Sequence, residues 1–141
     1  MRDLMNNIQA KRVLSPAASP ADNTAQVGQI IDRQGYESLT YLILTGSLPD
    51  ADATFAALLE ESDASDMSGS NAVADADMIG TEALASFIFS DDNKVFKLGY
   101  IGDKRYTRLT ITPAANSSAS LLAAVAVLGH PDQAPTSNPP N

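Results

Sequence analysis

The sequence predicts an all-β protein: a jelly-roll-like β-sandwich of about eight short strands with an N-terminal arm. Three observations lead there. Apolar and polar residues alternate at period two over several short stretches, as they do in strands with one buried face. Gly, Pro, Asp and Asn loops separate those stretches at the short spacing of two-layer sheet proteins. The clearest stretch, Val95 to Pro113, reads as two strands joined at Gly102–Arg105. The predicted division is an arm and linker over residues 1–23, the sandwich over 24–131 and a Pro-rich tail over 132–141.

In the arm, Leu4, Met5 and Ile8 fall on one side of a short helical turn, with Asp3 near its start and Lys11 and Arg12 near its end. Those charges suit a helix dipole, and so short a helix needs something to pack on. An anchoring arm and a frayed terminus fit equally well. The run S-P-A-A-S-P-A-D-N has the composition of a linker. From Thr24, Val27, Gln29 and Ile31 lie on one face of an extended segment. Ser38 to Thr45, S-L-T-Y-L-I-L-T, is apolar on both faces near its centre and is expected to be a central strand. Ala53 to Glu61 has helical propensity, but Phe55, Ala57 and Leu59 alternate, and the sheet context favours a strand. Val73–Gly80 and Ala83–Phe89 read as short strands.

Val95–Pro113 then reads as a hairpin. A four-residue loop pairs Tyr100 with Thr107, Leu98 with Leu109 and Phe96 with Ile111. A two-residue turn would set Lys97 opposite Arg108, which is destabilising. Phe96, Leu98, Leu109 and Ile111 are expected to face the core, with Lys97, Arg108 and Thr110 pointing away. Leu121 to Leu128 reads as a buried strand, and Gly129-His130-Pro131 closes the core.

Composition narrows the function classes. At 141 residues and 44% apolar content the chain can bury a core. Its net charge of −8 argues against a nucleic-acid partner. The lack of cysteine removes disulfides, thiolate metal sites and a thiol nucleophile. No apolar run reaches membrane-spanning length, so no membrane partner is expected. M-R-D-L-M-N-N-I-Q-A-K-R has no signal-peptide core, and the expectation is a protein made in a cytoplasm.

Chemistry is sparse. His130 is the sole histidine, lies in an exit turn and has no G-x-S-x-G partner motif, so it reads as a turn residue. The carboxylates between Asp50 and Asp92 single out no pair for glycoside hydrolysis. Asp50/Asp52 and Asp75/Asp77 have oxygen-ligand spacing, but neither fits a twelve-residue calcium loop. No cofactor or metal is expected. Asn116-Ser117-Ser118 reads as a polar turn. Lys94, Lys97, Lys104, Arg105 and Arg108 gather positive charge; ordinary strand-surface charge and a basic end for an acidic partner fit equally well.

The ordered runs V-G-Q-I-I-D-R-Q-G-Y-E-S-L-T-Y-L-I-L-T-G, L-L-E-E-S-D, A-D-A-D-M-I-G-T-E, K-L-G-Y-I-G-D-K-R-Y-T-R-L-T-I-T and A-V-A-V-L-G-H-P resemble small proteins from the head-gene region of tailed bacteriophages. Some of these look like capsid decoration, or cement, proteins. The resemblance implies a β-sandwich, no catalytic residues, and a place on the outer capsid surface of the virion. It also implies the major capsid protein as partner, and sister copies in a cyclic oligomer, preferably a trimer. Leu4, Met5, Ile8, Lys11, Arg12, Lys104 and Arg105 are the candidate partner contacts. A carbohydrate-binding sandwich and a head–tail connector or tail component are the alternatives.

Overall fold

The computed structural model describes residues 2–138. Its strands are β1 (Ile8–Ala18), β2 (Gln26–Val27), β3 (Ile31–Asp32), β4 (Tyr36–Thr45), β5 (Thr54–Ser62), β6 (Asn71–Ala72), β7 (Met78–Ile79), β8 (Phe87–Ile88), β9 (Val95–Tyr100), β10 (Tyr106–Ala114) and β11 (Leu121–Pro131). One helical turn, α1 (Glu82–Ala85), lies between β7 and β8. The first sheet has the order β1-β11-β4-β9-β7, and the second β2-β10-β5-β6, with β3 also on β10 and β8 on β5. All pairings are antiparallel. From β4 onward the long strands alternate between the sheets, while β1 returns to pair with β11 in the first sheet, so early and late strands are interleaved. This is the jelly-roll arrangement of a two-sheet sandwich.

The strands form where period two holds. In β4, Leu39, Tyr41 and Ile43 point inward; in β5, Phe55, Ala57 and Leu59 do; in β11, Ala124, Ala126 and Leu128 do. These meet Val13, Ile31, Leu98, Leu109 and Ile111 in one core. Phe55 stacks on Phe87 at 4.9 Å between ring centroids. Two buried hydroxyls are satisfied: Tyr41 Oη shares a 2.6 Å hydrogen bond with Thr107 Oγ1, and Tyr100 Oη donates to Glu61 at 2.6 Å. The expected strands at 38–45, 53–61 and 121–128 are all present, and β4 is the middle strand of its sheet.

The expected hairpin does not form. β9 pairs with β4 and β7, β10 pairs with β5, β2 and β3, and residues 101–105 cross between the sheets. Alternation reports a buried face, and two strands facing each other across a core show the same alternation as two hairpin mates. Leu98, Leu109 and Ile111 are buried as expected, while Phe96 is half-buried and stacks on Phe87 at 5.5 Å. Lys97 lies opposite Leu42, and Arg108 opposite Glu60, so the like-charge pair never arises. Thr110 is on the outer side but only 8% exposed, beside Val27 and Leu58 in the register.

The helical arm is also corrected. Only Met5–Asn7 make a 3₁₀ turn; residues 8–18 are strand β1, paired to β11 from Ile8↔Gly129 to Ala18↔Leu121. The sandwich therefore begins at Ile8 and not at Thr24. Period two in Gln9, Lys11 and Val13 prevails over the short helical stripe because β11 offers a long free edge. Register shifts between Arg12 and Ala17 bracket Pro16, which an edge strand tolerates. The tail folds back onto this strand: Thr136 donates from its N–H to Asn6 O and from its hydroxyl to Ile8 O.

Residues 73–89 differ in detail. Thr81 accepts a hydrogen bond from Leu84 N–H and caps α1 where a strand was expected, a consequence of the T-E-A-L-A cap sequence. In the segment after Thr24, Ile31 is buried but Val27 is 53% exposed, because β2 and β3 are separate two-residue strands.

Candidate functional site

The predicted contact residues fall in two places. Leu4 and Met5 are exposed, and Ile8 and Arg12 lie on the outer side of β1. Lys104 and Arg105 lie in the crossover after β9. Arg105 makes a bidentate pair with Asp32 at 2.8 and 2.9 Å, and Lys104 pairs with Asp63 at 2.9 Å. The Arg105 hydrogen bonds hold the Asp32 carboxyl below the usual carboxylate range, opposed by partial burial and helped by the charge of Lys11. Lys11 thus belongs with Arg105 around Asp32, away from Arg12.

Among the five basic residues read as one cluster, four have carboxylate partners. Lys94 pairs with Asp91, Lys104 with Asp63, Arg105 with Asp32 and Arg108 with Glu60. Lys97 has none among the described residues. Arg33 was missed from sequence. Its guanidinium stacks 4.7 Å from the Tyr100 ring centroid and donates to Gly102 O and Lys104 O, clasping the crossover.

The outer face of the first sheet exposes several apolar side chains. Ladder registers place its outward residues in rows across the strands. One row runs Ala10, Val127, Thr40, Gly99, Ile79. The next runs Arg12, Val125, Leu42, Lys97. A third runs Ala123, Leu44, Val95. None contains a carboxylate, although the chain has 17 acidic residues. Val95 is 64% exposed, Ile79 62% and Leu84, from α1 at the margin, 71%.

Two hollows indent this face on either side of Thr40. One, about 490 Å³, is walled by Ile79, Leu84, Val95, Lys97 and Ile101. Gly99 forms its floor; a Cβ there would stand 3.1 Å from Ile79 Cβ. The other, about 270 Å³, is walled by Leu4, Ile8, Val127, His130 and Pro131. The second sheet is different outside: its outward positions include the Arg108–Glu60 and Arg105–Asp32 pairs.

Among the described residues His130 is not part of a Ser–His–Asp arrangement. His130 Nδ1 lies 2.9 Å from Ser38 Oγ, but no carboxylate orients the ring in the hydrogen bonds of the described residues. His130 was expected in an exit turn, but it lies within β11, whose ladder continues to Pro131↔Tyr36, with φ +50°. Asp50 Oδ2 accepts from both the N–H and the hydroxyl of Ser117, which lowers its pKa. Among the described residues no group of three or more His, Asp or Glu could hold a metal. Asn116 is 5% exposed and donates to Pro20 O and Asp22 O, bracing the loops at one end. Among the described residues no helix is long and apolar enough to cross a membrane.

No protein-family model matches the chain, and no curated protein matches it. Solved structures resemble it to different degrees. The PBSX exported protein XepA matches with a TM-score of 0.56 at 16% identity over 94% of this chain and 41% of that one. The chain thus spans under half the length of that protein. The Clostridium thermocellum xylanase 10B CBM22-1-GH10 modules match with a TM-score of 0.43 at 10% identity, over 95% of this chain and 28% of that one. A chain of the infectious bursal disease virus Gx strain matches with a TM-score of 0.41 at 11% identity, over 91% of this chain and 35% of that one. At 16% identity the likeness to XepA shows a shared fold alone.

Proposed function

We propose that this chain is a non-enzymatic structural protein of a phage particle, a decoration protein on the outer capsid surface. Its partners would be the major capsid protein and sister copies in a cyclic trimer. The observation that carries the reading is the outer face of the first sheet: broad, apolar and free of carboxylates on an acidic protein. Such a face is built to be covered. The resemblance of the ordered motifs to phage head-region proteins supports this address. XepA's common fold accommodates this without selecting it. The protein's work is to add buried interface across capsid subunits, which stabilises the shell by mass action.

The carbohydrate-binding reading has less support. Sugar platforms use ring faces, and the three rows hold no aromatic residue. The test is quantitative mass spectrometry of purified virions. Copies in the hundreds per particle support decoration; a ring-sized copy number moves the protein to the neck or tail; absence from virions overturns the proposal.

A further inference from the structure

We infer that the outer face of the first sheet docks a different protein, one whose apolar surface is flanked by two carboxylates that meet Arg12 and Lys97. The inference rests on the particle-protein reading and names the contact within it.

Charge decides the occupant. Arg12 and Lys97 close the two ends of one row, with Val125 and Leu42 between them. Three strand spacings separate their Cα positions, roughly 14 Å. Both are exposed, and neither has a carboxylate partner among the described residues; Arg12 donates only to Ser15 Oγ, at 2.9 Å. The basic residues of the crossover and β10, by contrast, are already neutralised within the chain. A second copy laid face to face about the middle of this row would set Arg12 against its mate's Lys97. That contact would bring like charges together at both ends of the row. An acidic-rimmed apolar partner satisfies both cations.

Area supports a true interface. The rows hold five, four and three positions, which cover roughly 400 Å² in projection, about half of what one partner of a standard complex contributes. Leu84 and Ile101 on one margin and Leu4 and Met5 on the other extend it toward the full size, each more than half exposed. The hollows beside Thr40 are shaped to take apolar side chains of the partner, as buried anchors do at tight interfaces.

The experiment uses the full chain and particles assembled without it. Binding is measured by co-sedimentation for wild type, the double variant Arg12→Glu/Lys97→Glu, Val95→Glu and Lys97→Arg. Leu58→Glu on the second sheet serves as control. All positions except Leu58 are well exposed, and thermal melts confirm folding. Both Glu variants on the first sheet should weaken binding on the order of tenfold or more. Lys97→Arg and Leu58→Glu should keep it, and wild-type binding should fall with salt. Undiminished binding by the double variant overturns the docking inference alone. Loss in Leu58→Glu with retention in Val95→Glu moves the contact to the second sheet and also overturns it. A wild-type oligomer in sedimentation that Val95→Glu dissociates makes the occupant a second copy, again overturning it. Wild type that never binds particles overturns the particle reading, and this inference with it.

Discussion

Leu109→Ala tests the packing of the two sheets at its centre. Leu109 is fully buried on β10, and its register partner on β5 is Leu59, also fully buried. The substitution removes three carbons, a transfer loss of roughly 2.4 kcal/mol at ~0.8 kcal/mol per methylene. A residual cavity of ~50 Å³ adds about 1.2 kcal/mol at ~24 cal/mol per Å³. The expected cost is therefore about 3.5 kcal/mol, within the usual range for Leu→Ala in a core. Urea unfolding followed by circular dichroism measures it; with a slope of ~1.5–2 kcal/mol/M the midpoint falls by about 2 M. Leu59→Ala should cost a similar amount, and the double variant less than the sum, because both empty the same space. Leu58 is next in sequence to Leu59 but 38% exposed on the opposite side of β5, so Leu58→Ala should cost ~1 kcal/mol or less. A loss below ~0.5 kcal/mol for Leu109→Ala would refute the assigned core, as would equal costs at positions 58 and 59.

Three further outcomes are expected. Deleting residues 1–14 removes most of β1, including fully buried Val13, and bares the edge of β11, so the truncated chain should melt lower and aggregate; unchanged circular dichroism and melting would contradict the strand pairing. Asp32 has a folded-state pKa below its unfolded value, chiefly through Arg105, so its contribution is complete at neutral pH. That contribution is lost as pH falls below ~4 through the unfolded and then the folded pKa; Asp32→Asn should flatten this part of the acid-unfolding profile, and an identical profile would remove Asp32 from the account. Melts in EDTA and in calcium should coincide, since neither Asp50/Asp52 nor Asp75/Asp77 fits a calcium loop; a rise of several degrees in calcium would restore a metal site there.

What was legible depended on strand length. β4, β5 and β11 run nine residues or more, enough for period two to outweigh the helical propensity of Ala, Leu and Glu. β2, β3, β6, β7 and β8 are two residues each and carry no period at all. β1 was hidden by composition: Ser15, Pro16 and the alanines of an edge strand read like a linker. Pairing was hidden for a more general reason. The buried face of β9 and that of β10 meet across the core, and alternation alone cannot distinguish that from meeting along a ladder. Only the competition for partners decides it: β4 offers β9 six register positions and β5 offers β10 nine, more than a tight hairpin between them would gain.

The candidate site left a trace of the same kind. Ser38–Thr45 is apolar on both faces, and that pattern ordinarily marks a strand covered on both sides, as in a parallel sheet under helices. Here the sheet is antiparallel and the sandwich has two layers, so one face of β4 points away from the core. The inward set is Leu39, Tyr41 and Ile43; the outward set still contains Leu42 and Leu44. β11 repeats the pattern, with Val125 and Val127 outward of Ala124, Ala126 and Leu128. In both strands bulky apolar residues occupy positions the core does not use, while the neighbouring strands place Arg12 and Lys97 at the ends of the same row. Packing within the chain gives no reason for that arrangement. The proposed partner surface, apolar at its centre and acidic at its rim, would supply that reason, and it would cover the outward residues of β4 and β11 together with both cations.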